Sequence, residues 1–224
     1  MSEITPIAYI ETPFDEKFGV PRQSGIADCP GRIVFAPAFR DCDAVRGLEG
    51  FSHIWLLWQF DRAAGRGWSP TVLPPRLGGN ERVGVFASRS PFRPNGLGLS
   101  AVELERVSLD EADSPVLYVR GADMVSGTPI FDIKPYLAYA DSYPDAAWGF
   151  TGGDAGEMLE VDFPPELLAQ FNSGERHGLL SALGADPRPR YQEDSERVYG
   201  MRYAGKNVRF TVGDGVVHVV EVET

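Results

Sequence analysis

The chain carries little of what metal sites, disulfide scaffolds and covalent catalysis are built from. Its 224 residues include two cysteines, Cys29 and Cys42, and three histidines, His53, His177 and His218. The cysteines form no CxxC pair and lie near no histidine cluster, so neither a metal site nor a disulfide framework is suggested. No Ser-His-Asp or Cys-His arrangement stands out, which turns the reading away from covalent catalysis. His53, inside "GFSHIWLLW", reads as a core or interface histidine, and the other two as surface residues. Long apolar runs are also missing. "IWLLW" is the longest, far short of the roughly 20 residues that a spanning helix needs. "MSEITPIAYI" lacks a basic region followed by an apolar stretch, so no secretory leader is expected, and two reduced thiols suit a cytoplasmic protein. Positive charge is scarce: 21 Lys and Arg stand against 32 Asp and Glu, a formal net charge of -11. Taken alone, that balance opposes a nucleic-acid partner.

What the chain does have is glycine and proline, 25 and 18 of them. That usage favours short strands and turns over long helices. "PIAYIE", "GRIVFAP", "FSHIWLLWQF", "RVGVFAS", "LSAVELERV" and "PVLYVRGAD" read as strands, and "FRDCDAVRGLEG" as a helical turn or two. No strand–helix–strand rhythm appears, so an all-β barrel or sandwich is expected rather than a doubly wound sheet. Composition shifts at Tyr143 to Glu157, which reads as a linker. Beyond it, "PPELLAQFNSGERHGLLSALGAD" suits one or two short helices, with Pro164 and Pro165 at a start and Gly174 as an interruption. "VYGMRYAGKNVRFTVGDGVVHVVEVE" reads as a three-stranded meander turned at "AGKN" and "GDG". Two domains follow from this: a β-barrel at 1–145 and a small α+β domain at 155–224.

Charge is uneven. From Glu103 to Asp162 there are thirteen acidic and three basic residues, whereas from Arg76 to Arg93 there are four arginines and one glutamate. A local cationic site can therefore sit on an acidic protein. Three loops stand out. "ASRSPFRPNGLGLS" combines prolines that fix the backbone with Arg89 and Arg93, whose guanidinium forks suit carboxylate or phosphate. "EKFGVPRQSG" repeats that vocabulary, and Gln23 can both donate and accept. "GADMVSGTPIFDIKPYLAYADS" gathers Asp123, Asp132 and Asp141 with Lys134, Tyr136 and Tyr139. Lys134 lies two residues from Asp132, so a simple ion pair is a competing reading there.

In this order, the three loops resemble the TsaA-like, or TrmO, family of S-adenosylmethionine-dependent tRNA methyltransferases. The resemblance rests on "KFGVPRQ", "AVRGLEGFSHIWLLW", "PPRLGGNERVGVFASRSPFRPNGLGLS" and "SGTPIFDIKPYLAYADS", about residues 4 to 142, and weakly on "DPRPRY" at Asp186 to Tyr191. It implies a single-sheet β-barrel, a homodimer, and methylation of N6-threonylcarbamoyladenosine beside the anticodon. It also implies S-adenosylmethionine contacts from Pro21, Arg22, Gln23, Asp61, Arg62, Arg89, Leu99, Ser126, Gly127, Thr128 and Pro129. Ser126 stands where the family commonly has Asp, Gly96 where it has Pro, and Asp61-Arg62 where a His-containing pair is more usual. Asp132 is the candidate proton acceptor, with Asp141 behind it, and Lys134 and Tyr136 orient the threonyl carboxylate or the base. For tRNA, the charge asymmetry points to Arg76, Arg82 and Arg93, aided by Arg188 and Arg190. Two other readings fit the same residues: a cofactor-sensing module without transfer activity, and a methyltransferase for a small metabolite.

Overall fold

The computed structural model describes residues 4–63, 65, 67–152, 157–188 and 194–224. Six strands close into a barrel: β1 (Ala8–Glu11), β2 (Pro30–Phe35), β3 (His53–Gln59), β6 (Leu97–Ser108), β7 (Val116–Arg120) and β8 (Thr128–Pro135). Their order around the barrel is β1-β2-β7-β6-β3-β8, and every neighbouring pair is antiparallel. Closure leaves no unpaired sheet edge.

Alternation explains which side chains fill the barrel. In β3, Ile54, Leu56 and Trp58 are buried while Trp55, Leu57 and Gln59 are half-buried, the two-residue period of a strand with one face inside. Ile10, Ile33, Ile54, Leu56, Val102, Leu117, Val119 and Ile130 complete the core. The large Trp58 requires a small partner. Gly98 lies opposite it on β6, and a Cβ there would stand 2.3 Å from the indole ring.

Two strand readings are corrected. "RVGVFAS" yields only β5 (Val83–Gly84), paired with β4 (Thr71–Val72), before a 3-10 turn at Val85–Ala87. Only Val85 of that turn is buried, so too little apolar surface holds a longer strand. Conversely, part of the "SGTPIFDIKPYLAYADS" loop is β8. Pro129 and Pro135 and a bulge opposite Leu57/Trp58 break the alternation that would reveal it. His53 is exposed, with Nδ1 2.9 Å from the Ser52 hydroxyl, rather than in the core.

After β8 come α1 (Ala138–Asp141) and an exposed stretch. The C-terminal unit follows, built from β9 (Glu160–Asp162), α2 (Pro165–Leu168), α3 (Ser173–Gly184), β10 (Tyr199–Tyr203), β11 (Lys206–Gly213) and β12 (Val216–Glu223). The meander β10-β11-β12 gains a fourth strand, β9, parallel to β12. Both hairpin turns place two successive residues at positive φ, Ala204-Gly205 and Asp214-Gly215. Gly174 does not interrupt the helix. It lies in the first turn of α3, just behind an Asn172–Glu175 capping box.

The long β1–β2 connection ties the two units together. Phe14, fully buried, meets the edge of Tyr203 at 5.3 Å, and Phe18 stacks on Tyr199. Ala204 N–H donates to the Pro13 carbonyl at 2.7 Å, and Asp28 N–H to the Ser181 hydroxyl at 2.8 Å. Arg120 grips the Asp28 carboxylate with two bonds, and His177 Nε2 lies 2.6 Å from the same carboxylate. The path of this connection is therefore set by the C-terminal unit as much as by the barrel.

Candidate active site

Strand direction places the three distinctive loops at one rim. The β1–β2, β3–β6 and β7–β8 connections leave the same end of an antiparallel barrel, and they carry Pro21 to Gln23, Asp61 to Arg93, and Asp123 to Gly127. Residues more than a hundred positions apart are thus neighbours.

Side chains confirm the convergence. Arg89 donates to the amide oxygen of Gln23, linking the first and second loops. Arg62 donates to the Asp15 carbonyl at 2.6 Å and to the Ser126 carbonyl at 3.4 Å, linking all three. The Ser126 hydroxyl accepts from Thr12 N–H at 3.3 Å, while the amides of Ser126 and Gly127 bond the carbonyls of Phe14 and Ile10. Thr128 and Pro129 begin β8 and are buried directly below. Arg22 donates to the Asp186 and Arg188 carbonyls and so braces the first loop against the C-terminal unit.

A buried polar chain lies beneath the rim. Trp58 Nε1 donates to the Ser100 hydroxyl at 3.0 Å, and Ser100 donates to the Asp123 carboxylate at 2.7 Å. Burial pushes the Asp123 carboxyl up. The Ser100 hydroxyl, the backbone amides of Asp123 and Ser24, and the charge of Arg89 pull the other way. The sequence alone assigns Asp123 no role, because Ser100 and Trp58 look like ordinary strand residues until the barrel places them together.

The remaining candidates lie on the outer wall of the barrel. Leu99, Leu57 and Asp132 form a row across the outer wall of β6, β3 and β8. Asp132 lies four residues beyond Thr128, about 13 Å along a strand. Lys134 Nζ is 2.8 Å from the Asp132 carboxylate, so the ion pair exists. Tyr136 packs against the rings of Trp55 and His53, and Asp141 accepts from Trp55 Nε1 at 2.9 Å. This wall is half apolar, and Leu99 is 56% exposed.

Of the expected RNA contacts, Arg76, Arg82 and Arg93 share the β3–β6 excursion. Arg82 donates to the Thr71 hydroxyl at 3.0 Å, and Arg93 to the carbonyls of Ser88 and Ser90 in its own loop. Arg188 is held by the Asp186 carboxylate at 2.8 Å. Arg190 lies outside the described residues. Gly96 has φ +56, which proline cannot adopt, so the loop here takes a turn that a proline at this position would forbid.

Among the described residues, no group of three or more His, Cys, Asp or Glu could hold a metal ion, and no helix is long and apolar enough to cross a membrane. Arg89 suits a carboxylate, Gln23 can pair with an amide or base edge, and the exposed Asp61 suits an ammonium or sugar hydroxyls.

Comparison with known proteins identifies the family. Residues 9–142 match the tRNA-methyltransferase O N-terminal domain and residues 156–224 the TrmO C-terminal domain. The chain is 41% identical over 226 residues to the Escherichia coli tRNA (adenine(37)-N6)-methyltransferase, covering 97% of this chain and 96% of that protein. It is 45% identical over 174 residues to the protein of that name from Eikenella corrodens, covering 77% of this chain and 97% of that one. The crystal structure of TrmO from Pseudomonas aeruginosa superposes with a TM-score of 0.80 at 29% identity, covering 100% of this chain and 99% of that one. With both domain descriptions matched in order and full-length relatives above 40% identity, the chain belongs to the tRNA-methyltransferase O family.

Proposed function

We propose that the protein transfers a methyl group from S-adenosylmethionine to N6 of the adenine at position 37 of tRNA, in the form of N6-threonylcarbamoyladenosine. One observation carries the reading: three separated loops converge on one rim through the Arg89–Gln23 and Arg62–Ser126 bonds, in a chain of this family. Pro21, Arg22, Gln23, Asp61, Arg62, Arg89, Leu99 and Ser126 to Pro129 would hold the cofactor, which supplies an electrophilic methyl on a sulfonium.

The protein's own task is positioning and proton removal. The target nitrogen belongs to a urea-like group, so its lone pair is delocalised and it must lose its proton as it gains the methyl. In-line placement supplies much of the rate. Asp132 takes the proton, Lys134 fixes its carboxylate, and Tyr136 orients the substrate. These three stand on the outer wall, and the wall carries Trp55, Leu57 and Leu99. That division supports a homodimer in which one protomer's wall completes its partner's rim. Phosphates meet Arg76, Arg82, Arg93, Arg188 and Arg190, and the protein acts in the cytoplasm.

Two tRNA preparations test the substrate, one with and one without the threonylcarbamoyl group. Methyl acceptance confined to the modified preparation is expected. Equal acceptance by both would overturn the assignment and leave unmodified adenine as the target.

A further inference from the structure

The β3–β6 excursion presents features that the cofactor reading does not use. Phe86 is 74% exposed and Trp68 is 55% exposed, among the more exposed aromatics of the protein. Both flank the small β4–β5 ladder. Val85 N–H donates to the Pro70 carbonyl at 3.0 Å and Ser69 N–H to the Phe92 carbonyl at 3.2 Å, which brings the chain at Trp68 alongside the turn that carries Phe86. Proline and backbone bonds stiffen this hairpin, so the rings are displayed at low entropic cost.

The excursion that carries them is rich in arginine. From Arg62 to Arg93 the sequence has six arginines and one glutamate, in a chain of net charge -11. An apolar exposed surface alone does not name its occupant. Exposed aromatic rings on an arginine-rich excursion, one of the three connections that leave the rim end of the barrel, match unstacked bases on a phosphate backbone.

We propose that Phe86 and Trp68 form a stacking platform for bases of a single-stranded RNA loop flanking the target nucleotide. Arginines of the same hairpin take the phosphates and fix register, while the rings hold neighbouring bases open so that the target reaches the rim. This rests on the tRNA reading above and adds the residues that open the loop.

The test compares an anticodon stem-loop RNA with the same stem closed by an abasic loop, which keeps the phosphates and removes the stacking partners. Wild type should bind the base-containing loop more tightly, by roughly five-fold or more. Phe86→Ala with Trp68→Ala should erase that preference and leave affinity for the abasic loop and for S-adenosylmethionine unchanged. Phe86→Trp should retain it. An unchanged preference in the double variant would overturn the platform while the tRNA reading stands. Equal loss on both RNAs, a loss of cofactor affinity, or a changed oligomeric mass by light scattering would overturn it too, the last by assigning the rings to contact between copies. Failure of wild type to bind either RNA would overturn the tRNA reading and the platform with it.

Discussion

Asp123 shows how much one residue's setting decides. Its carboxyl is pushed up because burial disfavours the charged form more than its hydrogen bonds and Arg89 favour it. An acid with a raised folded-state pKa stabilises the fold below its unfolded value, near 3.9, and that contribution is lost as pH rises through the raised value. Asp123→Asn should remove this component. Its denaturation midpoint, relative to wild type, should rise between pH 4 and neutrality, as read by urea unfolding at a series of pH values. A wild-type-minus-variant difference that stays flat across that range would contradict the assignment. Glu111 runs the other way. Bonds from Arg32 and Tyr118 pull its carboxyl down to about 2, so its contribution is lost only as pH falls toward that value.

Among the elements, β3 and β8 mark what a sequence makes legible. Strict alternation of Ile54, Leu56 and Trp58 with half-exposed neighbours announces β3. β8 pairs with β3 and β1 and closes the barrel, yet its prolines and bulge hide its period. Likewise, the pairing of Gln23 with Arg89 crosses sixty-six positions, and only the barrel's topology shows it. Family resemblance names the candidate cofactor contacts, but not how the candidates divide between rim and outer wall, which depends on strand register. The Gly98–Trp58 pair tests that register directly. Gly98→Ala places a methyl against the indole, and overpacking of this kind costs about 1–3 kcal/mol. A urea midpoint lowered accordingly is expected. A loss under about 0.5 kcal/mol would mean that the two residues are not face to face.

For the whole molecule, the acidic balance proved a poor guide to partners, since six arginines gather on one excursion of an otherwise acidic chain. The two units are also not independent beads: Phe14, Ala27 and Cys29 of the barrel's first loop belong to the C-terminal core, so that loop is positioned from both sides. In the proposed function the rim, the outer wall and the arginine-rich hairpin serve one reaction, and methyl transfer to RNA is its most direct readout. Purified protein, methyl-labelled S-adenosylmethionine and tRNA from cells lacking this activity should yield label in a single RNA nucleoside, with the mass of methylated N6-threonylcarbamoyladenosine. RNA that stays unlabelled while the protein binds the cofactor, or label that appears only in a small soluble product, would contradict the account.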